Sequence, residues 1–291
     1  MAAKKNSGKK KARTTTKKSK SGKTGCSFVS LLVALAILGS ITYFVSRHKG
    51  RGETGIGKEI TRPKNDKYKV IGIDISHHNG TIKWDKVKED GVKFAYIKAT
   101  QGTTHINRRH KKNYDKAKNE GITAGFYHFF MFEKDGVEQA RFFLENSTLE
   151  GKDLPPALDV EYSPPSTIRR TGEKYIKGRI REITRFDSVI YEETGIHPVI
   201  YTNKECYKDL IKGHFDNNEI WICDLNSEEN PNIEEKWVLW QYSHKGKVNG
   251  ISFDVDMDVF NGTEEDFRAW IETYQQQKRA ASLRLFSFSL Y

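Results

Sequence analysis

KVIGIDISHHNGTIKWDKVKEDGVKFAYIKATQGTTHINRRHKKNYDKAKNEGITAGFYHFF, residues 69–130, holds the pattern that decides the fold. Three apolar runs, VIGIDIS (Val70–Ser76), FAYIKAT (Phe94–Thr100) and GFYHFF (Gly125–Phe130), are rich in β-branched and aromatic residues. Runs of that length and composition read as buried strands. Between them lie two stretches of helical period, a short one at Trp84–Asp90 and a longer one at Asn107–Glu120, which stops before Gly121. Strand, helix, strand, helix, strand is the grammar of an α/β fold.

The alternation continues downstream. ALDVE (Ala157–Glu161), PVIYT (Pro198–Thr202), EIWIC (Glu219–Cys223), VLWQYS (Val238–Ser243) and FDVDM (Phe253–Met257) bring the expected strands to eight. Gly136–Asn146 carries Val137, Ala140, Phe143 and Leu144 on one helical face. Ile176–Glu193 places Ile176, Ile180, Ile183, Phe186 and Ile190 at three- and four-residue steps and stops at Gly195. Eight strands alternating with helices over about 200 residues predict a small (β/α)8-type barrel. An open doubly wound sheet shares the alternation, but no G-x-G-x-x-G follows the first strand.

Upstream of the barrel the chain changes character. It has 291 residues with 49 Lys+Arg against 38 Asp+Glu, a formal charge of +11. Ten of the cations fall in residues 1–25, which hold no acid, so subtracting ten leaves residues 26–291 at +1. The basicity therefore belongs to a tail of Lys, Ser, Thr and Gly, read as a disordered cytoplasmic segment. CSFVSLLVALAILGSITYFV, Cys26–Val45, follows with no charge between Lys23 and Arg47. Twenty helical residues rise about 30 Å, the thickness of a bilayer core, so residues 26–45 are expected to form a transmembrane helix. A cleaved signal peptide has a shorter apolar stretch with a small-residue site beyond it, whereas the only A-x-A here, Ala34–Ala36, lies mid-run. Cations before the span favour a cytoplasmic N-terminus and place the rest of the chain across the membrane. Nucleic-acid binding by the tail is set aside, because no aromatic interrupts it to stack on a base and the span puts it beside a membrane. Residues 46–68 read as a linker, 69–274 as the barrel and 275–291 as a C-terminal tail. In that tail the alternation of LRLFSFSLY (Leu283–Tyr291) suggests an extra strand or a sticky end.

Catalytic side chains in a barrel sit at the C-terminal ends of strands. Those ends hold Asp74, then Tyr127 and His128, Asp159 and Glu161, Tyr201, Trp240 to Tyr242, and Asp254 to Asp258. Asp159-Val160-Glu161 carries the strongest local signal, because residues i and i+2 of a strand face one space. Crowding two acids raises at least one pKa, as a general acid working near neutral pH requires. Asp74 and Asp256 add two further acids, and four acids with Tyr and Trp among them suit a glycosidase.

These residues bring the chain to a family. It resembles the glycoside hydrolase family 25 lysozymes, the Chalaropsis-type muramidases, over roughly residues 69–271. The matching stretches are Gly72–Trp84, Phe94–Gly102, GFYHFF, LDVE (Leu158–Glu161), Thr194–Thr202, LWQYS (Leu239–Ser243) and Asp254–Gly262. The resemblance implies an irregular barrel that cleaves the β-1,4 bond between N-acetylmuramic acid and N-acetylglucosamine in peptidoglycan, without a metal or other cofactor. It implies that Glu161 is the general acid, with Asp159 its partner orienting the substrate's own N-acetyl group in a substrate-assisted reaction. Asp74 and Asp256 correspond to two further active-site acids, and Tyr127, Tyr201 and Trp240 to positions that contact sugar. Three positions depart from the family pattern. Gln101 stands in KATQG where Glu is usual, Asn79 where Gln is common, and Asp258 where Asn is frequent.

Other constellations are weaker. His77-His78 would point to opposite faces of a strand, and no third ligand has suitable spacing. Asp254, Asp256, Asp258 and Glu265 have the spacing of a calcium loop, but Val259 stands where such a loop needs Gly. Cys206 and Cys223 read as core thiols. Two rivals to a muramidase remain, a non-catalytic wall-binding anchor on the same barrel and a hydrolase of chitin-like glycans.

Overall fold

The structure, a computed structural model, describes residues 60, 62–64, 66–147, 153–162 and 172–288. The expected tail (1–25), transmembrane helix (26–45) and most of the linker (46–68) lie outside the described residues. Among the described residues no helix is long and apolar enough to cross a membrane.

The strands are β1 (Ile71–Ile75), β2 (Phe94–Gln101), β3 (His105–Ile106), β4 (Thr123–Phe129), β5 (Ala157–Val160), β6 (Val199–Asn203), β7 (Ile220–Cys223), β8 (Leu239–Gly246) and β9 (Val255–Phe260). All but the short β3 form a closed ring in the order β1-β9-β8-β7-β6-β5-β4-β2, with β2 pairing back onto β1. The helices are α1 (Trp84–Glu89), α2 (His110–Asn119), α3 (Gly136–Asn146), α4 (Glu173–Thr194) and α5 (Glu264–Phe288). Short helical turns occupy Lys204–Cys206 and Tyr207–Ile211.

The expected eight strands are present, but the ring is not all parallel. β9 runs antiparallel to both neighbours, β8 and β1. The reason is the length of the connection. Only residues 247–254 separate β8 from β9, too few for the dozen or more of a parallel crossover and enough for an antiparallel return.

Side chains alternate between two cores. The lumen holds Val70, Phe94, Tyr96, Ala157, Val199, Trp221, Leu239 and Phe260. The layer between barrel and helices holds Ile71, Ile73, Ala95, Ile97, Leu158, Val160, Ile200, Ile222, Met257 and Val259, with Phe143, Ile183, Phe186 and Ile190 from the helices. Neighbours along each strand thus belong to different cores, the period-2 rule applied around a ring. Gly72 faces the lumen, and a Cβ there would lie 2.2 Å from the Phe94 ring.

α5 closes the N-terminal end of the barrel. Its start is a capping box in which the Thr263 hydroxyl accepts from the Asp266 N–H at 3.1 Å while the Asp266 carboxylate accepts from the Thr263 N–H at 2.9 Å. Phe267 then stacks on Phe94, with centroids 5.5 Å apart, and meets Phe260 edge-on at 5.2 Å. The extra strand suggested by the alternation near the C-terminus does not form in the described residues, because α5 continues to Phe288. Gly195, at φ 72°, ends α4 so close to α5 that a Cβ would lie 2.3 Å from that of Ala281.

Candidate active site

The C-terminal end of the lumen is where the inward positions turn polar. Asp74 comes from β1, Lys98 from β2, Tyr127 and Phe129 from β4, Asp159 from β5 and Glu161 from just beyond it. Tyr201, Trp221, Gln241 and Asp256 follow from β6, β7, β8 and β9, and with Ser76 and His244 they line a cavity of about 220 Å³. Because β9 is reversed, its early residue Asp256 stands at this end, in register with Asp74. Wider surface clefts, among them ones of about 860 and 880 Å³, run along α4 and between α4 and α5, and none of the cavity's residues lines those two.

The ring holds more carboxyls than it can ionise. Burial pushes Asp159 well above the usual carboxylate range, and the neighbouring Glu161 adds to the effect while Lys98 opposes it. Glu161 is raised by burial and held back by Lys98. Burial lifts Asp74 to about 7 against the hydrogen bonds that favour its ionised form. Asp256 is raised by burial and then by Asp74 and Glu161. Lys98 is itself lowered by desolvation and kept charged by Asp159 and Glu161. One ammonium among these acids leaves protons on the ring near neutral pH, which equips it to protonate a leaving group.

Hydrogen bonds fix the orientation of the ring. Gln241 donates from Nε2 to Asp74 Oδ2 at 2.6 Å. Its Oε1 accepts from the Tyr201 hydroxyl at 2.8 Å and lies 2.7 Å from His244 Nε2, so the amide has one orientation. Lys98 donates to Gln101 Oε1 at 2.8 Å, with its ammonium 4.2 Å from the Phe129 ring centroid. Tyr96 stacks under Trp221 at 4.7 Å, and Tyr201 meets that indole edge-on at 4.9 Å, forming an aromatic floor. Asp159 Oδ1 is buried with no hydrogen-bond partner among the described residues, an acceptor whose hydrogen-bonding capacity is unused.

Of the residues read from sequence, Asp74, Asp159, Glu161, Asp256, Tyr127 and Tyr201 come together in this cavity. Trp240 does not. Leu239 and Gln241 are the inward residues of β8, so Trp240 between them points outward, fully buried against Tyr68 and Trp237. Its indole N–H donates to the Asp224 carbonyl at 2.9 Å. A single step along a strand changes the face, and the alternation that brings Asp159 and Glu161 together selects Gln241 over Trp240. Sequence reasoning gave no role to Lys98, Phe129, Trp221, Gln241 and His244, and the same alternation signals all but the last.

Other expectations also change. His77 and His78 sit in a 3-10 turn, not on a strand, with ring centroids 3.8 Å apart. Among the described residues no group of His, Cys, Asp and Glu is arranged to hold a metal ion. Asn79 ties this turn to the residue before β9 by donating to the Asp254 carbonyl at 3.2 Å, so the departure at this position falls on loop anchoring. Asp256 and Asp258 stand on a strand, and Glu265 pairs with Arg268 on α5, so these acids do not share one loop. Cys206 and Cys223 are buried free thiols.

Comparison with known proteins adds to this geometry. The family described as glycosyl hydrolases family 25 matches residues 73–251. Lysozyme M1 of Streptomyces globisporus is 34% identical over 230 residues, covering 73% of this chain and 76% of that protein. Among solved structures, a family 25 glycosyl hydrolase from Bacillus anthracis superposes with a TM-score of 0.66 at 28% identity, covering 75% of this chain and 99% of that one. A bacterial lysozyme from Streptomyces coelicolor gives a TM-score of 0.63 at 32% identity, covering 72% and 100%.

Proposed function

The chain belongs to glycosyl hydrolases family 25 and is a peptidoglycan hydrolase; we propose that it is a muramidase, cleaving the β-1,4 bond after N-acetylmuramic acid. The observation that carries this reading is the convergence of Asp74, Asp159, Glu161 and Asp256 on one cavity with Lys98 as its cation. Glu161, raised by burial, donates its proton to the glycosidic oxygen as the bond to the anomeric carbon breaks. Asp159, whose Oδ1 has no partner of its own, accepts from the N–H of the substrate's N-acetyl group and turns its carbonyl oxygen toward the anomeric carbon. Water then completes hydrolysis, and Glu161 recovers its proton from it. Asp74 and Asp256 stabilise the positive charge that develops on the sugar, while Tyr127 and Tyr201 contact the ring.

The test is to incubate the purified protein with peptidoglycan and identify the new reducing ends. Muramic acid ends support the proposal, and glucosamine ends make the enzyme a glucosaminidase instead. Release from chitin-like glycans alone makes it a chitinase-like hydrolase. Equal slow release by the parent and Glu161→Gln makes the domain a wall-binding anchor.

The catalytic unit is further proposed to face the wall from a membrane anchor at residues 26–45, with the N-terminus cytoplasmic. The uncharged run and the ten preceding cations support this. Protease added outside intact protoplasts should then remove the catalytic unit. Its full protection would reverse the orientation, and recovery in the soluble fraction would remove the anchor.

A further inference from the structure

Asp258 stands on β9 two residues beyond Asp256, facing the lumen below the acid ring and fully buried. Its Oδ1 accepts the Trp221 indole N–H at 2.8 Å. Its Oδ2 receives no N–H or O–H from any described residue. Asp74 pairs in register with Asp256, so Asp258, two residues along β9, is its diagonal neighbour on the same lumen face. Asp74 in turn uses Oδ2 to accept from Gln241. Two buried carboxyls that neighbour each other with no donor between them require a proton between them, since two ionised groups there would repel without compensation.

We infer that Asp258 is a positioning residue that shares one proton with Asp74, acting as a neutral donor that holds the Asp74 carboxylate in its catalytic orientation. The surroundings support this assignment. Asp74 and Gln241 approach from β1 and β8, Trp221 from β7, Tyr96 from β2 and Tyr242 from β8, with Asp256 on the same strand. No cation is among them, because Lys98, the ammonium of the ring, faces Asp159 and Glu161. Burial and the nearby Asp74 also push Asp258 well above the usual carboxylate range, in keeping with a proton held on it. Asp74 then receives two hydrogen bonds, one from the Gln241 amide and one from Asp258. As pH rises and Asp258 ionises, the second bond is replaced by repulsion and Asp74 loses its orientation.

This inference rests on the reading of the ring as the catalytic site, so its test uses one readout that does not need turnover. Asp258→Asn keeps the shape, and its amide donates to Asp74 at every pH. Infrared spectra of the full protein at neutral pH should show the carbonyl stretch of a buried protonated carboxylic acid, reduced in Asp258→Asn. In hydrolysis of peptidoglycan, each proton the reaction needs costs about tenfold in kcat per pH unit on the alkaline side. The parent, needing protons on both Glu161 and Asp258, should therefore fall more steeply with pH than Asp258→Asn, which needs one fewer, and KM should not follow the same pattern. Asp258→Leu, with no donor, should lower kcat across the whole range. An unchanged carbonyl band, or alkaline limbs of equal steepness, overturns the shared proton. A reduced band in a protein inactive on peptidoglycan leaves the shared proton standing and overturns the muramidase reading instead.

Discussion

At the N-terminal end of the barrel the inward positions hold Phe94, Phe260 and the plug residue Phe267; at the C-terminal end they hold Asp74, Lys98, Asp159 and Asp256. The same strands and the same alternation supply both sets. Phe94 and Lys98 are four residues apart on β2, and Phe260 and Asp256 are four apart on β9. Below, aromatic rings are removed from water and stabilise the fold. Above, acids are removed from water with too few partners, which costs stability and leaves protons where chemistry needs them. Stability and reactivity are thus segregated along one axis, and each end can be perturbed without the other.

The largest effect should come from the upper end. Glu161→Gln removes the proton donor and should lower kcat by about 10²–10⁴-fold, measured by release of reducing ends, with the melting temperature not reduced. A comparable loss of stability would break the segregation. The mirror experiment is Phe267→Ala, expected to destabilise the fold by about 3–5 kcal/mol in urea unfolding while the folded fraction keeps its kcat.

Asp74→Asn joins the two ends and has a defined sign. Burial lifts Asp74 to about 7 in the folded protein against an ordinary value of 3.8 when unfolded, so it contributes stability that is present below pH 4 and lost as pH rises through 7. The Asn variant escapes that loss. It should be more stable than the parent at pH 8 and close to it at pH 4 in urea unfolding, even as turnover falls. Equal differences at both pH values would show that Asp74 is not held partly protonated by its burial.

A smaller shift is expected from Gln101→Glu. Lys98 now donates to a neutral amide, leaving its charge to Asp159 and Glu161. A carboxylate at position 101 would draw that charge away and raise the pKa of both acids. Glu161 would keep its proton longer, moving the alkaline limb of kcat up by about half a pH unit. The smallest catalytic effect belongs to Trp240→Phe. Loss of the hydrogen bond to Asp224 should cost about 1 kcal/mol of stability with KM unchanged. A raised KM would return Trp240 to the groove.

Much of this was legible in the residues. Eight runs marked the strands, and Asp159-Val160-Glu161 announced two acids on one face because strand periodicity is a local property. The ends of α4, set by Ile176 to Ile190 and Gly195, were readable for the same reason. Trp240, expected at the groove, instead packs outside the ring, as strand alternation requires. The neighbouring Gln241 carries the inward position. The reversed β9 was signalled only by the short connection after β8. The continuous helix α5 competed with an alternation that, by itself, resembled a strand.

The sequence by itself determined the barrel, the acids and their strands, because hydrophobic period and backbone alternation act over a few residues. It also marked the uncharged run at 26–45, which charge and length alone make a membrane candidate. Only the tertiary structure decided which residues meet across the lumen. Lys98 beside Asp159 and Glu161, Gln241 on Asp74, and Asp258 near Asp74 join strands far apart in the chain. Ring closure sets those contacts and the burial that keeps protons on the acids, and no local pattern encodes either.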